Sequence, residues 1–372
     1  MGNQSGEEHG SITPYQLTAI AVGSIIGVGV LAFPRLLVEQ AGTAAPLAAL
    51  LGAIPPALSW VAWVKVGRKF PQQTPAEYVT KLIWPPLAWV YALLGMIFVL
   101  IITGLTVREF GAVVKTSVLP NTPIEVSISL LLLAAAYFVR YDLQVFARVY
   151  EVFLPLMLAP LTLIGLLSLK NARLVYLMPV ITDWLGLLKG IAMASVGYIA
   201  FVIGPFLLPS LTRPKEAVKS GLWGIGLSLF VYMLAVTASL AVFGPEELKH
   251  VIWPTFELVK TTTVPGFILE RLESAFLGIW VAAVFTTVGG TYYALVVTIA
   301  QFFKLGDHKT LVLPLIPIIY MIAMGPASIH SLYRVVTFFG LIGVGLVQGT
   351  GFLFLLLSVI RKKGAQPGAT KA

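Results

Sequence analysis

Apolar runs of roughly 20 residues, each long enough to cross about 30 Å of hydrocarbon as a helix, recur with short polar gaps along nearly the whole chain. Windows bounded by charges and prolines predict five spans at 14–37, 44–66, 87–107, 123–139 and 145–168. Five more fall at 186–208, 218–243, 272–303, 311–325 and 335–360. No stretch remains for a soluble domain. The pattern predicts an all-α integral membrane protein with one transmembrane domain over 13–360, between an N-terminal tail (1–12) and a basic C-terminal tail (361–372).

Five spans followed by five permit an inverted repeat, because an odd number per half makes the second half insert upside down. The halves are then 13–169 and 186–360, and their first helices are the places to compare. Span one carries Gly23, Gly27 and Gly29 and ends near Pro34; span six carries Gly197 and Gly204-Pro205 and ends at Pro209. Glycine costs a helix about 1 kcal/mol relative to alanine, so both first helices are expected to be broken. A broken helix exposes amide N–H groups suited to a carboxylate and carbonyls suited to an ammonium group or cation. The same glycines also fit a small-xxx-small face for close helix packing, which is expected for Gly345 and Gly349 of span ten.

Composition agrees with a lipid-dissolved chain: 58% of residues are hydrophobic, 11% are charged, and mean hydropathy is +0.91. The net charge of +9 is not a nucleic-acid footprint, since its Lys and Arg residues lie in gaps between apolar runs and not in one patch. Read as topology signals, fifteen of the 25 Lys and Arg residues fall on the side that holds both termini, which predicts cytoplasmic termini. The first twelve residues contain no Lys or Arg and the apolar stretch after them is too long for a signal core, so no cleaved signal is expected. Without cysteine the chain has neither disulfide nor thiol nucleophile. His9, His250, His308 and His330 are scattered, which predicts no metal site, and no catalytic triad or carboxylate pair suggests an enzyme.

Polar residues near the spans need partners. Arg148 and Glu151 share one helix face at i, i+3, and an ion pair between them, structural or gating, is expected. Arg108-Glu109 and Arg271 with Glu273 are read as interfacial anchors, and Gln348 as a donor between helices. Thr286 and Thr287 are candidates for bonds to their own preceding turn. Trp60, Trp63, Trp84, Trp89, Trp184, Trp223 and Trp253 lie near span ends, as in aromatic belts.

The stretch Gly23-Ser24-Ile25-Ile26-Gly27-Val28-Gly29-Val30 resembles the helix-one signature of permeases in the amino acid/polyamine/organocation superfamily, whose fold is LeuT-like. Leu119-Pro120-Asn121-Thr122-Pro123-Ile124, Arg148-x-x-Glu151-x-x-x-Pro155, Phe243-Gly244 with Trp253-Pro254, and Phe267-Ile268-Leu269-Glu270-Arg271-Leu272 are similar to motifs of the spore germination permeases, in the same order. The resemblance implies the permease-like subunit of a nutrient germinant receptor in the inner membrane of a bacterial spore, assembled with a larger membrane subunit and a lipoprotein. It implies no cofactor. Carried onto matching positions, it nominates Ser24, Ile26, Gly27, Ile102, Thr106, Gly197, Ala200 and Thr287 as ligand contacts. One departure is notable: many relatives carry an acid in the middle of span six, where this chain reads Ala200-Phe201-Val202-Ile203-Gly204-Pro205. Three functions follow as alternatives: a nutrient sensor, an amino acid or cation transporter working at the same site, and a scaffold whose pocket is vestigial.

Overall fold

The computed structural model describes residues 11–180, 183–261 and 272–361, with side chains from 276 onward in the last segment. Both tails beyond these limits, the 267–271 part of the fourth motif, Arg271 and the side chain of Glu273 lie outside the described residues.

Helices occupy all ten expected windows, several as pairs; among the described residues six are long and apolar enough to cross a membrane, or seven if the bent pair at 184–210 counts as one. Span one is α1 (Pro14–Ile25) and α2 (Gly29–Ala41); span two is α3 (Ala45–Gly52) and α4 (Ile54–Gly67). After a short α5 (Pro75–Leu82) come α6 (Pro85–Val113), α7 (Ile124–Val139) and α8 (Leu143–Ser168), which are spans three to five. Span six is α9 (Trp184–Val196) followed by a 3-10 stretch, Ile199–Ser210, bent from it by 46°. Span seven is α10 (Ala217–Phe243), and two short helices, α11 (Pro245–Leu248) and α12 (Pro254–Thr261), precede span eight, α13 (Leu272–Phe302). Spans nine and ten are α14 (Lys309–Met324) and α15 (Ile329–Gly343), the latter continued by a π-helical turn into α16 (Thr350–Ile360).

Local chemistry sets the boundaries. Thr13 and Gln16 form a capping box at the start of α1, with Thr13 N donating to Gln16 Oε1 at 2.9 Å and Gln16 N to Thr13 Oγ1 at 3.2 Å. Gly42, at φ +56°, turns the chain between spans one and two in a backbone conformation that only glycine adopts without strain. The start of span one is tied to the end of span six, since Ile12 N donates to Ser210 O at 2.8 Å and Thr212 N to Ile12 O at 2.9 Å.

The two broken spans lie at the centre of the bundle: α1 packs on α10, α8 and α13, while α9 packs on α2 and α3. Three of the expected belt tryptophans are instead in the protein interior. Trp60, Trp63 and Trp253 are buried, and their indole N–H groups donate to Ala217 O, Val347 O and Thr116 Oγ1, each at 3.1 Å. Trp84, Trp89, Trp184 and Trp223 are exposed, as a belt requires.

Candidate functional site

Span one breaks where its glycines cluster. The helix ends at Ile25, Ile26 is extended (φ −87°, ψ 103°), and α2 starts at Gly29 without a side-chain cap. The first amides of α2 therefore open onto the break. The freed carbonyls have a different fate from the one the sequence suggests. Thr287 Oγ1 lies 2.9 Å from Gly23 O and 3.3 Å from Ile26 O, and Thr286 Oγ1 lies 3.1 Å from Gly23 O. Tyr232 Oη is 2.9 Å from Ile25 O and 3.2 Å from Gly197 O, so one phenol joins the breaks of spans one and six. Each hydroxyl carries one proton, so these contacts are shared. They take up Gly23 O, Ile25 O and Ile26 O, while the first amides of α2 stay open to a ligand.

The glycines also serve close packing. A Cβ at Gly27 would fall on the Thr287 side chain, and one at Gly23 on the Tyr150 ring. At Gly197 it would meet Phe33 at 3.0 Å and Tyr232 at 3.2 Å. Packing and unwinding are thus one design here, because the absent side chains let spans eight and five (α13 and α8) approach the break.

A cavity of about 110 Å³ opens at the junction of the two breaks. Six of the eight nominated residues line it: Gly27, Ile102, Thr106, Gly197, Ala200 and Thr287. Ser24 and Ile26 do not. Ile25 takes their place on the cavity wall; Ser24 is fully buried beside Gly290 and Tyr150, and Ile26 points into the core. The rotation of the last turn of α1 decides which of three neighbouring residues faces the cavity.

The most informative lining residue is one the sequence reading placed at the water interface. Glu109 is only 6% exposed and lines the cavity, whereas its neighbour Arg108 turns away and donates to Pro326 O at 2.7 Å. Successive helical residues point about 100° apart, so an adjacent pair of charges need not share an environment. Tyr333 Oη donates to Glu109 Oε1 at 2.7 Å, and the Arg35 guanidinium lies 4.7 Å above the Tyr333 ring while pairing with Glu39 at 3.2 Å. A signal was available: Ile102, Thr106 and Glu109 are spaced i, i+4, i+7, which is one helix face.

The expected ion pair of Arg148 and Glu151 does not form. Arg148 is exposed, and half-buried Glu151 accepts from Gln16 Nε2 at 3.0 Å, which fastens span five to the start of span one. Gln348 behaves as expected of a donor between helices: it is buried and donates to Ser195 O at 2.8 Å, beside the break in span six. Gly345 faces open space and forms no packing surface. A second, polar cavity of about 500 Å³ lies by the end of span six, with Asp142 and Lys309 paired at 2.8 Å on its wall. No group of three or more metal-ligating side chains occurs among the described residues.

Two solved structures share this arrangement of helices. MhsT in complex with L-phenylalanine is 16% identical and superposes with a TM-score of 0.71 over 95% of this chain and 90% of its own. Mhp1, a nucleobase-cation-symport-1 family transporter in a closed conformation with bromovinylhydantoin bound, is 13% identical with a TM-score of 0.69 over 100% and 85%. The architecture is accordingly the LeuT-like permease fold.

Within that class the sequence is specific. The spore germination protein family matches residues 11–332, and the chain belongs to it. Among its relatives, spore germination protein YndE of Bacillus subtilis (strain 168) is 26% identical over 95% of this chain and 98% of its own. Spore germination protein A2 of the same organism is 22% identical over 94% and 96%.

Proposed function

We propose that this chain is a nutrient-sensing subunit of a spore germinant receptor, in which a small ligand occupies the cavity at the two breaks and favours one arrangement of the broken helices. The observation that carries this reading is the bridge made by Tyr232, since a ligand against Gly27 or Gly197 bears on both breaks through one side chain. Sensing requires only that the ligand bind one arrangement more tightly than the other. The permease domain spans 13–360 in the inner spore membrane, with both termini cytoplasmic, and works beside a larger membrane subunit and a lipoprotein. Family membership supports that setting.

A second reading, secondary transport of an amino acid or related cation, is favoured by the polar cavity at the end of span six, on the side that the charge distribution assigns to the cytoplasm. The test is thermal-shift measurement on the purified chain with amino acids, nucleosides and sugars, beside Gly27→Leu. Stabilisation by one ligand class, lost in the variant, supports the cavity. Uptake of that ligand into proteoliposomes by the chain alone decides for transport, and its absence for sensing. Equal stabilisation of Gly27→Leu places the ligand elsewhere.

A further inference from the structure

Glu109 is the one charged residue lining the cavity at the two breaks among the described residues. Its carboxylate makes a single hydrogen bond there, from Tyr333 Oη to Oε1 at 2.7 Å, and no ion pair; Arg35 pairs with Glu39 instead. A carboxylate 6% exposed within a membrane span is costly unless a cation or several donors meet it. The rest of the wall is mainly apolar, with Phe33, Leu36, Ile102, Leu105 and Val336 nearby. The wall therefore combines one acceptor charge, the uncapped amide end of α2 and an apolar surface.

We propose that Glu109 receives the ammonium group of the ligand, and that the cavity takes small primary amines with an apolar body, as in a hydrophobic amino acid, in preference to sugars or nucleosides. The inference rests on the cavity being the ligand site. It supplies from span three the charge that span six lacks. A ligand without a cationic donor leaves the Glu109 carboxylate desolvated and unpaired, whereas an ammonium gives it a charge-assisted hydrogen bond. Tyr333 orients the carboxylate by holding its other oxygen.

The test compares apolar L-amino acids (alanine, valine, leucine, isoleucine, phenylalanine) with their 2-hydroxy-acid counterparts, and with glucose and inosine, by thermal shift on the purified full-length chain. At least one amino acid is expected to bind, with its hydroxy acid weaker by roughly tenfold or more. Glu109→Gln is expected to lose that preference, Glu109→Asp to retain part of it, and Gly27→Leu to bind neither. Equal binding of amine and hydroxy acid, or an undiminished preference in Glu109→Gln, overturns the role of Glu109 while loss in Gly27→Leu leaves the cavity standing. Binding that survives Gly27→Leu, or no binding of any compound to the unaltered chain, overturns the cavity reading itself. If Glu109→Gln does not yield folded protein, the comparison on the unaltered chain decides.

Discussion

The hydroxyl of Tyr232 lies 2.9 Å from the carbonyl oxygen of Ile25, the last helical residue before the break in span one, and the same hydroxyl is 3.2 Å from Gly197 O at the break in span six. Its ring stacks on Phe33 at 4.2 Å. Tyr232→Phe keeps that packing and removes only the bridge. A buried carbonyl left without a donor costs about 1–3 kcal/mol, so the variant is expected to unfold at lower temperature by that margin. It should also weaken ligand stabilisation, because the two breaks are then free to move separately. A thermal melt with and without ligand checks both; unchanged ligand response would show that the bridge is structural only.

Thr287 stands against Gly27, with its hydroxyl shared between Gly23 O and Ile26 O. Thr287→Ser retains the hydroxyl and is expected to lose less stability than Thr287→Val, which keeps the volume but leaves Ile26 O without its hydroxyl donor, Gly23 O retaining Thr286 Oγ1, at about 1–3 kcal/mol. Gly27→Ala errs the other way, since its Cβ collides with Thr287, and overpacking of this kind costs roughly 1–3 kcal/mol. Melting temperatures of the three purified variants rank the effects. A Thr287→Val protein as stable as Thr287→Ser would mean that the carbonyls find other partners.

The order of the helices and the two interruptions were legible in the sequence, because each is written in hydropathy or in the position of glycines, whereas Ile102, Thr106, Ala200 and Thr287 were nominated by the family resemblance alone. What was not legible depends on tertiary rotation. The window for span three closes at Val107, where charges begin, but α6 continues to Val113 and carries Glu109 inside with it. Arg148 and Glu151 have the spacing of a pair, yet spacing cannot show that Gln16 arrives from another span. Ser24 and Ile26 fail for a similar reason, since one turn of α1 has one residue facing the cavity and the extended backbone at Ile26 resets the register after it.

Gln348 offers a test of how a buried amide is held. Its Nε2 donates to Ser195 O, whereas its Oε1 is buried with no hydrogen-bond partner. Replacing it by methionine removes one favourable contact and one unsatisfied acceptor together, and the two changes offset each other to within about 1 kcal/mol. Gln348→Glu places a charge at a site 4% exposed, which is expected to be destabilising by roughly 3 kcal/mol or more. Expression level and melting temperature of the two proteins distinguish the outcomes; equal stability would indicate that water reaches the site.

Glu151 and Arg148 are predicted to act independently. Arg148 is exposed, and a surface substitution there is expected to change stability by no more than about 0.5 kcal/mol. Glu151→Gln keeps an acceptor for Gln16 Nε2 and should be mild, while Glu151→Leu loses the tie between spans five and one, at about 0.5–1.5 kcal/mol. The double reversal Arg148→Glu with Glu151→Arg should therefore show no rescue relative to Glu151→Arg alone, since the coupling energy between residues that do not touch is close to zero. A double-mutant cycle on melting free energies measures it. A coupling of about 1 kcal/mol or more, the size of a real ion pair, would mean that the two side chains meet in another conformation, and would return the pair to consideration as a gate.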